Sequence, residues 1–172
     1  REATHRTKLH YGRLKAPWKI VGPGLSTLAR FPMLEQKTEF FRSTSEAQNH
    51  LASKGMLMVR LDVRGKVLDL YNAHFDAGSS SGAQRSRREQ GIQLAEFVRE
   101  NSPAEHSVIV VGDFNMGPSR PGKPWESFDP LWYHSADDAR RRTRTYDEML
   151  RELDFEDASE RIHGPALDDV DR

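Results

Sequence analysis

Cysteine is absent from all 172 residues. Its absence excludes disulfides, thiolate metal sites and cysteine nucleophiles, and leaves the compartment open, because chains from oxidising and reducing compartments alike can lack it. Charge of one sign is also missing: 26 Lys and Arg face 26 Asp and Glu, for a formal net charge of zero. A protein that grips many phosphates of a nucleic acid usually carries a basic excess, so the balance counts against that class while leaving room for a local basic patch. No apolar run approaches the roughly 18 residues of a membrane-spanning helix, and no signal peptide is visible. The first residue is Arg1 rather than methionine, so removal of an upstream segment is expected. What remains is enough chain for one domain with a real core.

Along that chain, Arg1 to Lys8 reads as the tail of a helix and Leu9 to Leu14 as a short extended stretch. Gly22-Pro23-Gly24 is a turn. Leu25 to Ala29 reads as a strand, Met33 to Phe41 as a further extended segment, and Ser43 to Ser53 as a loop. Gly55 to Val63 and Val67 to His74 alternate as strands do, with Arg64-Gly65-Lys66 between them, which predicts a hairpin. Ala77 to Gln84 is rich in glycine and serine and reads as a flexible loop. Arg85 to Asn101 has helical spacing, with Ile92, Leu94, Ala95 and Val98 on an apolar face. Val108 to Val111 is a continuous β-branched run, the pattern of a strand buried on both faces. Gly117 to Pro130 is a proline-rich loop, Asp137 to Arg144 a charged segment, and Tyr146 to Leu153 a helix with Tyr146, Met149, Leu150 and Leu153 on one face. The order predicts a single mixed α/β layered domain over residues 1–172.

Two strand ends carry residues suited to chemistry. Gly112-Asp113-Phe114-Asn115 follows the β-branched run, and the i, i+2 spacing lets Asp113 and Asn115 point the same way if the strand continues. A carboxylate beside an amide suits a hard cation such as magnesium and can orient an attacking water. The same tetrad is also an ordinary turn composition. Asn72-Ala73-His74-Phe75-Asp76 places a histidine at the end of the earlier strand, where a protonated imidazole can hydrogen-bond a phosphoryl oxygen. A lone histidine there is equally a satisfied, half-buried residue, and Asp76 reads as loop entry rather than a ligand. Arg140-Arg141-Arg142 with Arg144 reads as a solvated face, with phosphate contact the minority reading. Trp125, Phe128, Trp132 and Tyr133 read as packing residues. His5, His10, His50, His106, His134 and His163 show no metal-cluster spacing.

Taken in order, these segments resemble the endonuclease/exonuclease/phosphatase family of metal-dependent phosphohydrolases, somewhat nearer its neutral sphingomyelinase-like members. Gly24 to Pro32 (GLSTLARFP) resembles the family's early "G-L-x-I-L-S-R-Y-P" strand, and Ala52-Ser53-Lys54-Gly55 the lysine-glycine pair opening the next. Asn72-Ala73-His74-Phe75 resembles "N-T-H-L". Arg87, Gln90 and Leu94 keep an R-x-x-Q-x-x-x-L helix, and Gly112 to Asn115 is identical to "G-D-F-N".

The resemblance implies a deoxyribonuclease-like fold: a four-layer sandwich of two mixed β-sheets flanked by helices. It also implies that the chain is truncated at both ends, as an internal fragment. The family's asparagine strand and metal-binding glutamate are expected upstream of Arg1, since Glu2 follows no apolar strand. Val170-Asp171-Arg172 resembles the opening of the strand that precedes a final Asp-His pair. The implied reaction is magnesium-dependent hydrolysis of a phosphodiester by in-line attack of an activated water, with manganese as a possible substitute. In it, Asp113 binds the metal and orients or deprotonates the water, Asn115 holds the water or a phosphate oxygen, His74 donates to the phosphoryl group, and Asp171 supports a second histidine. A phospholipid substrate is favoured. Nucleic acid is the alternative, an inositol phosphate a weaker one, and an inactive fragment or binding module the non-enzyme reading. The chain is expected to be a monomer and, alone, to bind metal weakly and turn over little.

Overall fold

The alternating strand pair does form a hairpin. β4 (Gly55–Val63) and β5 (Lys66–His74) are joined by a two-residue loop, Arg64-Gly65. Both loop residues have positive φ, 58° and 84°, the backbone that matches a hairpin loop to the strand twist. The Asp62 carboxylate takes the Gly65 N–H at 2.6 Å. In this computed structural model residues 5–7, 22–45, 53–117 and 136–163 are described.

The remaining elements are β1 (His5–Arg6), β2 (Leu28–Ala29), β3 (Met33–Phe40), α1 (Ser81–Asn101), β6 (Ser107–Asp113), α2 (Ala136–Leu153) and α3 (Ala158–His163). β1 and β2 form a short antiparallel ladder, so only the end of the Leu25 to Ala29 segment is paired as a strand. The main sheet has the order β3-β4-β5-β6, antiparallel except for the parallel pair β5-β6. A parallel neighbour requires a crossover, and α1 supplies it. The layered α/β architecture expected from the sequence is the one observed.

Helices α1 and α2 cover one face of the sheet. Met56, Met58, Tyr71 and Ala73 meet Leu94, Phe97, Val98, Tyr146, Met149 and Leu153 there. On the other face Leu57, Val59 and Leu61 pack with Leu25. A buried apolar side chain stabilises by about 1.5–3 kcal/mol over an exposed one, so these two clusters carry most of the packing.

Further local expectations change. His5 and Arg6, read as part of a helix tail, form strand β1. Helix α1 starts at Ser81, inside the glycine- and serine-rich stretch, because Ser80 caps it by accepting the Ala83 N–H at 3.1 Å. Leu94, Ala95 and Val98 are buried as expected, but Ile92 is 41% exposed, and the inward stripe is completed by Ala83, Arg87, Gln90 and Phe97. That stripe is polar in its first half because it faces loops rather than the sheet. β6 is not buried on both faces: Val108 and Val110 pack on the core, while Ile109 and Val111 are 47% and 42% exposed. Among the described residues β6 is the last strand of the sheet and only one of its faces is covered. Finally, the charged Asp137–Arg144 segment is the first half of α2, and Asp138, Ala139, Arg142 and Thr143 are buried in it.

Candidate functional site

The parallel register places His74 of β5 opposite Asp113 of β6. Both strands end there, so both side chains emerge at one edge of the sheet, His74 Nε2 lying 3.7 Å from Asp113 Oδ2. The antiparallel register on the other side places Gly55 opposite His74. Lys54, immediately before it, therefore reaches the same spot, with Nζ 2.6 Å from His74 Nε2.

Gly112 makes the close approach possible. Its φ is +147°, and a Cβ built on it would lie 2.0 Å from the Ala73 carbonyl oxygen, so no side chain fits there without moving the strand. Past it the chain turns rather than continuing extended. Phe75 N–H donates to the Asp113 carbonyl at 2.9 Å, and Asn115 takes a left-handed φ of 51°. The Asn115 N–H donates to Asp113 Oδ1 at 3.0 Å, and its side-chain amide donates to the Phe75 carbonyl at 3.0 Å. Asp113 and Asn115 are thus brought together by an Asx-type turn, not by strand alternation as the i, i+2 spacing predicted. Phe114 anchors the turn edge-on against Phe75, which packs edge-on against Phe41.

Arg142 is the clasp of this loop layer. It pairs with Asp138 at 3.0 Å and donates to the Asn115 carbonyl and the Gly78 carbonyl, each at 2.9 Å. It is buried, which corrects the solvated reading of the arginine cluster: α2 lies against the site loops and needs a cation to hold their carbonyls. Arg140 and Arg141 both pair with Asp137 at the surface.

Burial holds the His74 imidazole below its ordinary value, and the neighbouring Lys54 charge adds to that effect. Asp113, a hydrogen bond to Pro23 and Asp76 oppose it. Proline has no N–H, so the His74 ring donates to the Pro23 carbonyl, and it is neutral at neutral pH. Nε2 then faces Lys54 as the acceptor. Burial likewise lowers Lys54, against the charges of Asp76 and Asp113.

The chemistry of the donors fits a magnesium site in part. Asp113 offers a carboxylate whose side chain is 65% exposed, and magnesium is held by one or two carboxylates plus waters and substrate phosphate. Among the described residues no three His, Asp or Glu side chains gather into a metal cluster. Glu2, Asp171, Trp125, Phe128, Trp132 and Tyr133 lie outside the described residues. Sequence reasoning assigned no chemistry to Lys54 or Asp76, and to Arg142 only a minority phosphate-contact reading. A lysine at the mouth of an apolar strand was the one local signal for Lys54. The other two depend on contacts across the fold.

The geometry has counterparts. A variant of beta toxin from Staphylococcus aureus with bound magnesium ions superposes with a TM-score of 0.65 at 20% identity, over 91% of this chain and 50% of that one. Sphingomyelinase C from Streptomyces griseocarneus gives 0.63 at 22% identity, over 91% of this chain and 50% of that one. These matches establish the deoxyribonuclease-like fold. In sequence, inositol phosphosphingolipids phospholipase C of Schizosaccharomyces pombe is 26% identical over 107 residues, which are 57% of this chain and 25% of that protein. The chain therefore spans about half the length of the solved structures and a quarter of the yeast enzyme. The strands and loops that meet at the site fall within one family model, matched over residues 27–128, and the chain belongs to Endonuclease/Exonuclease/phosphatase family 2.

Proposed function

We propose that the protein is a magnesium-dependent phosphodiesterase of the sphingomyelinase type, acting on a phospholipid headgroup. The observation that carries the reading is the convergence of Lys54, His74 and Asp113 at the ends of three adjacent strands. A bound magnesium ion supplies charge neutralisation at the phosphate and the departing oxygen. Asp113 would hold it and orient or deprotonate the attacking water. Asn115 lies within the same turn to hold the water or a phosphate oxygen. Lys54 faces the phosphoryl group as a fixed donor that favours developing negative charge, and His74 would donate to it once its Nε2 is protonated. Asp171 would support a second histidine of the whole protein, as the family resemblance implies.

The lipid reading is favoured over nucleic acid by two observations. Two of the proteins named above act on sphingolipids, by their names. Of the arginine cluster that a nucleic-acid groove would draw on, Arg142 is buried and Arg140 and Arg141 are paired to Asp137, which leaves Arg144 exposed. The test is an assay of the full-length protein on sphingomyelin, plasmid DNA and inositol phosphates, with and without magnesium. Magnesium-dependent release of phosphocholine is expected, reduced about 100-fold or more by Asp113→Asn. Cleavage of DNA with no attack on sphingomyelin would move the assignment to nuclease.

A further inference from the structure

Asp76 is fully buried and sits two residues past His74. Every backbone group of this residue is tied down: its N–H donates to Gln90 Oε1 at 2.9 Å, and its carbonyl accepts from Arg87 Nη1 at 3.0 Å. One carboxylate oxygen, Oδ2, accepts the Ser45 N–H. The other, Oδ1, is buried with no hydrogen-bond partner among the described residues, as are Ser45 Oγ and the Arg87 Nε and Nη2 atoms. A buried carboxylate with a free oxygen is costly, and such groups are retained where they serve a second purpose.

The surroundings indicate that purpose. The segment clamped by Asp76 runs from the end of β3 through Phe41, whose N–H donates to the Lys54 carbonyl at 3.0 Å, to Ser45. Gln90 fastens the same segment at the Ser43 carbonyl, 2.8 Å away. Asp76 therefore locks the piece of chain that abuts Lys54, while the strand that ends two residues before it carries His74. Its negative charge also acts on both: it is the largest of the influences that favour the Lys54 ammonium, ahead of Asp113.

We propose that Asp76 is a positioning residue of the site, holding Lys54 in place for contact with the phosphoryl group. The inference rests on the phosphodiesterase reading for the identity of that group. Asp76→Asn is the informative variant, because it keeps the shape of the side chain while replacing the charge-assisted bond to the Ser45 N–H with a weaker neutral one.

In the full-length protein, Asp76→Asn is expected to keep its melting temperature within a few degrees and to lower kcat on sphingomyelin about tenfold, with KM within about twofold. In a Lys54→Ala background the same change is expected to cost less than about twofold, because the two residues act as one unit. An equal loss in both backgrounds, or a loss that only tracks the unfolded fraction, would overturn the proposal. If Asp76→Asn does not fold, Asp76→Glu keeps the charge but displaces it by a methylene, and the same coupling to Lys54 is expected. If the wild type hydrolyses no phosphodiester, the functional reading fails, and titration of inorganic phosphate followed by NMR decides the positioning role separately. Simple repulsion predicts tighter phosphate binding by Asp76→Asn; positioning predicts binding weaker by about fivefold or more.

Discussion

A single missing atom decides whether β5 and β6 can end side by side. The Gly112 hydrogen faces the Ala73 carbonyl where a methyl group would lie at 2.0 Å. Gly112→Ala is expected to destabilise by about 3 kcal/mol or more, since the clash is with backbone and cannot be relieved by a rotamer change; chemical denaturation measures it, and a loss under about 1 kcal/mol would show that the strands separate easily. Lys54 is the other residue on which the site turns. Lys54→Ala removes the group 2.6 Å from His74 and is expected to lower kcat/KM on the phosphodiester substrate by about tenfold to a hundredfold while leaving the fold intact. Arg87 shows how far burial goes: it is pushed down to about 10 by burial and by the charge of Arg142, yet stays charged at neutral pH.

At the scale of elements, α1 works as a polar staple at one end and a hydrophobic one at the other. Arg87, Gln90 and Gln93 bind the carbonyls of Asp76, Gly78, Ser43 and Phe40, and Leu94, Phe97 and Val98 fill the core. Its far end is fastened by a second polar cluster around Asp69, well away from His74 along β5. Arg60 Nε, Ser102 Oγ and His106 Nδ1 converge on the buried Asp69 carboxylate at 2.7, 2.7 and 2.9 Å.

Burial pushes the Asp69 carboxyl up, but the hydrogen bonds from Arg60, Ser102 and His106 outweigh it, and the group titrates below its ordinary 3.8. A depressed carboxylate stabilises the fold fully above its unfolded value, and that contribution is lost as pH falls through the folded value. Stability is therefore expected to drop on acidification below about pH 4, and the acid-dependent part to shrink in Asp69→Asn. Thermal melts from pH 7 to pH 3 would check it; parallel pH profiles for wild type and variant would refute the assignment. Arg142 gives the corresponding prediction for α2. Arg142→Met keeps the bulk but removes the donor to the Asn115 carbonyl and one of the two donors to the Gly78 carbonyl, Arg87 remaining as the other. It is expected to raise amide exchange in both loops about tenfold or more with little change in the sheet.

For the whole molecule, the two faces of the sheet are unequal. Leu57 on β4 is fully buried, while Ile109 on β6, on the same outer face, is nearly half exposed. Leu57→Ala is expected to cost about 2–5 kcal/mol and Ile109→Ala under about 1.5 kcal/mol in this chain, as read from urea unfolding.

Much of this was legible beforehand. The hairpin follows from period-two alternation and a glycine loop, α2 from the spacing of Tyr146, Met149 and Leu153, and the strand ends that carry His74 and Asp113 from two apolar runs that each close on a polar residue. These are local signals, set by backbone geometry and the burial of one face, and a single sequence contains them. The ordered motifs from Gly24 to Asn115 also determined the family.

Other features depended on tertiary structure, because they are relations between distant segments. Lys54 joined the site through an antiparallel register, and Arg142 left the surface because two loop carbonyls needed a donor. Asn115 reached Asp113 by a left-handed turn rather than by alternation. The β-branched run of β6 determined that a strand would form, but only the assembled sheet decided that one of its faces would stay half exposed, since burial depends on which neighbours arrive and not on the residues that await them.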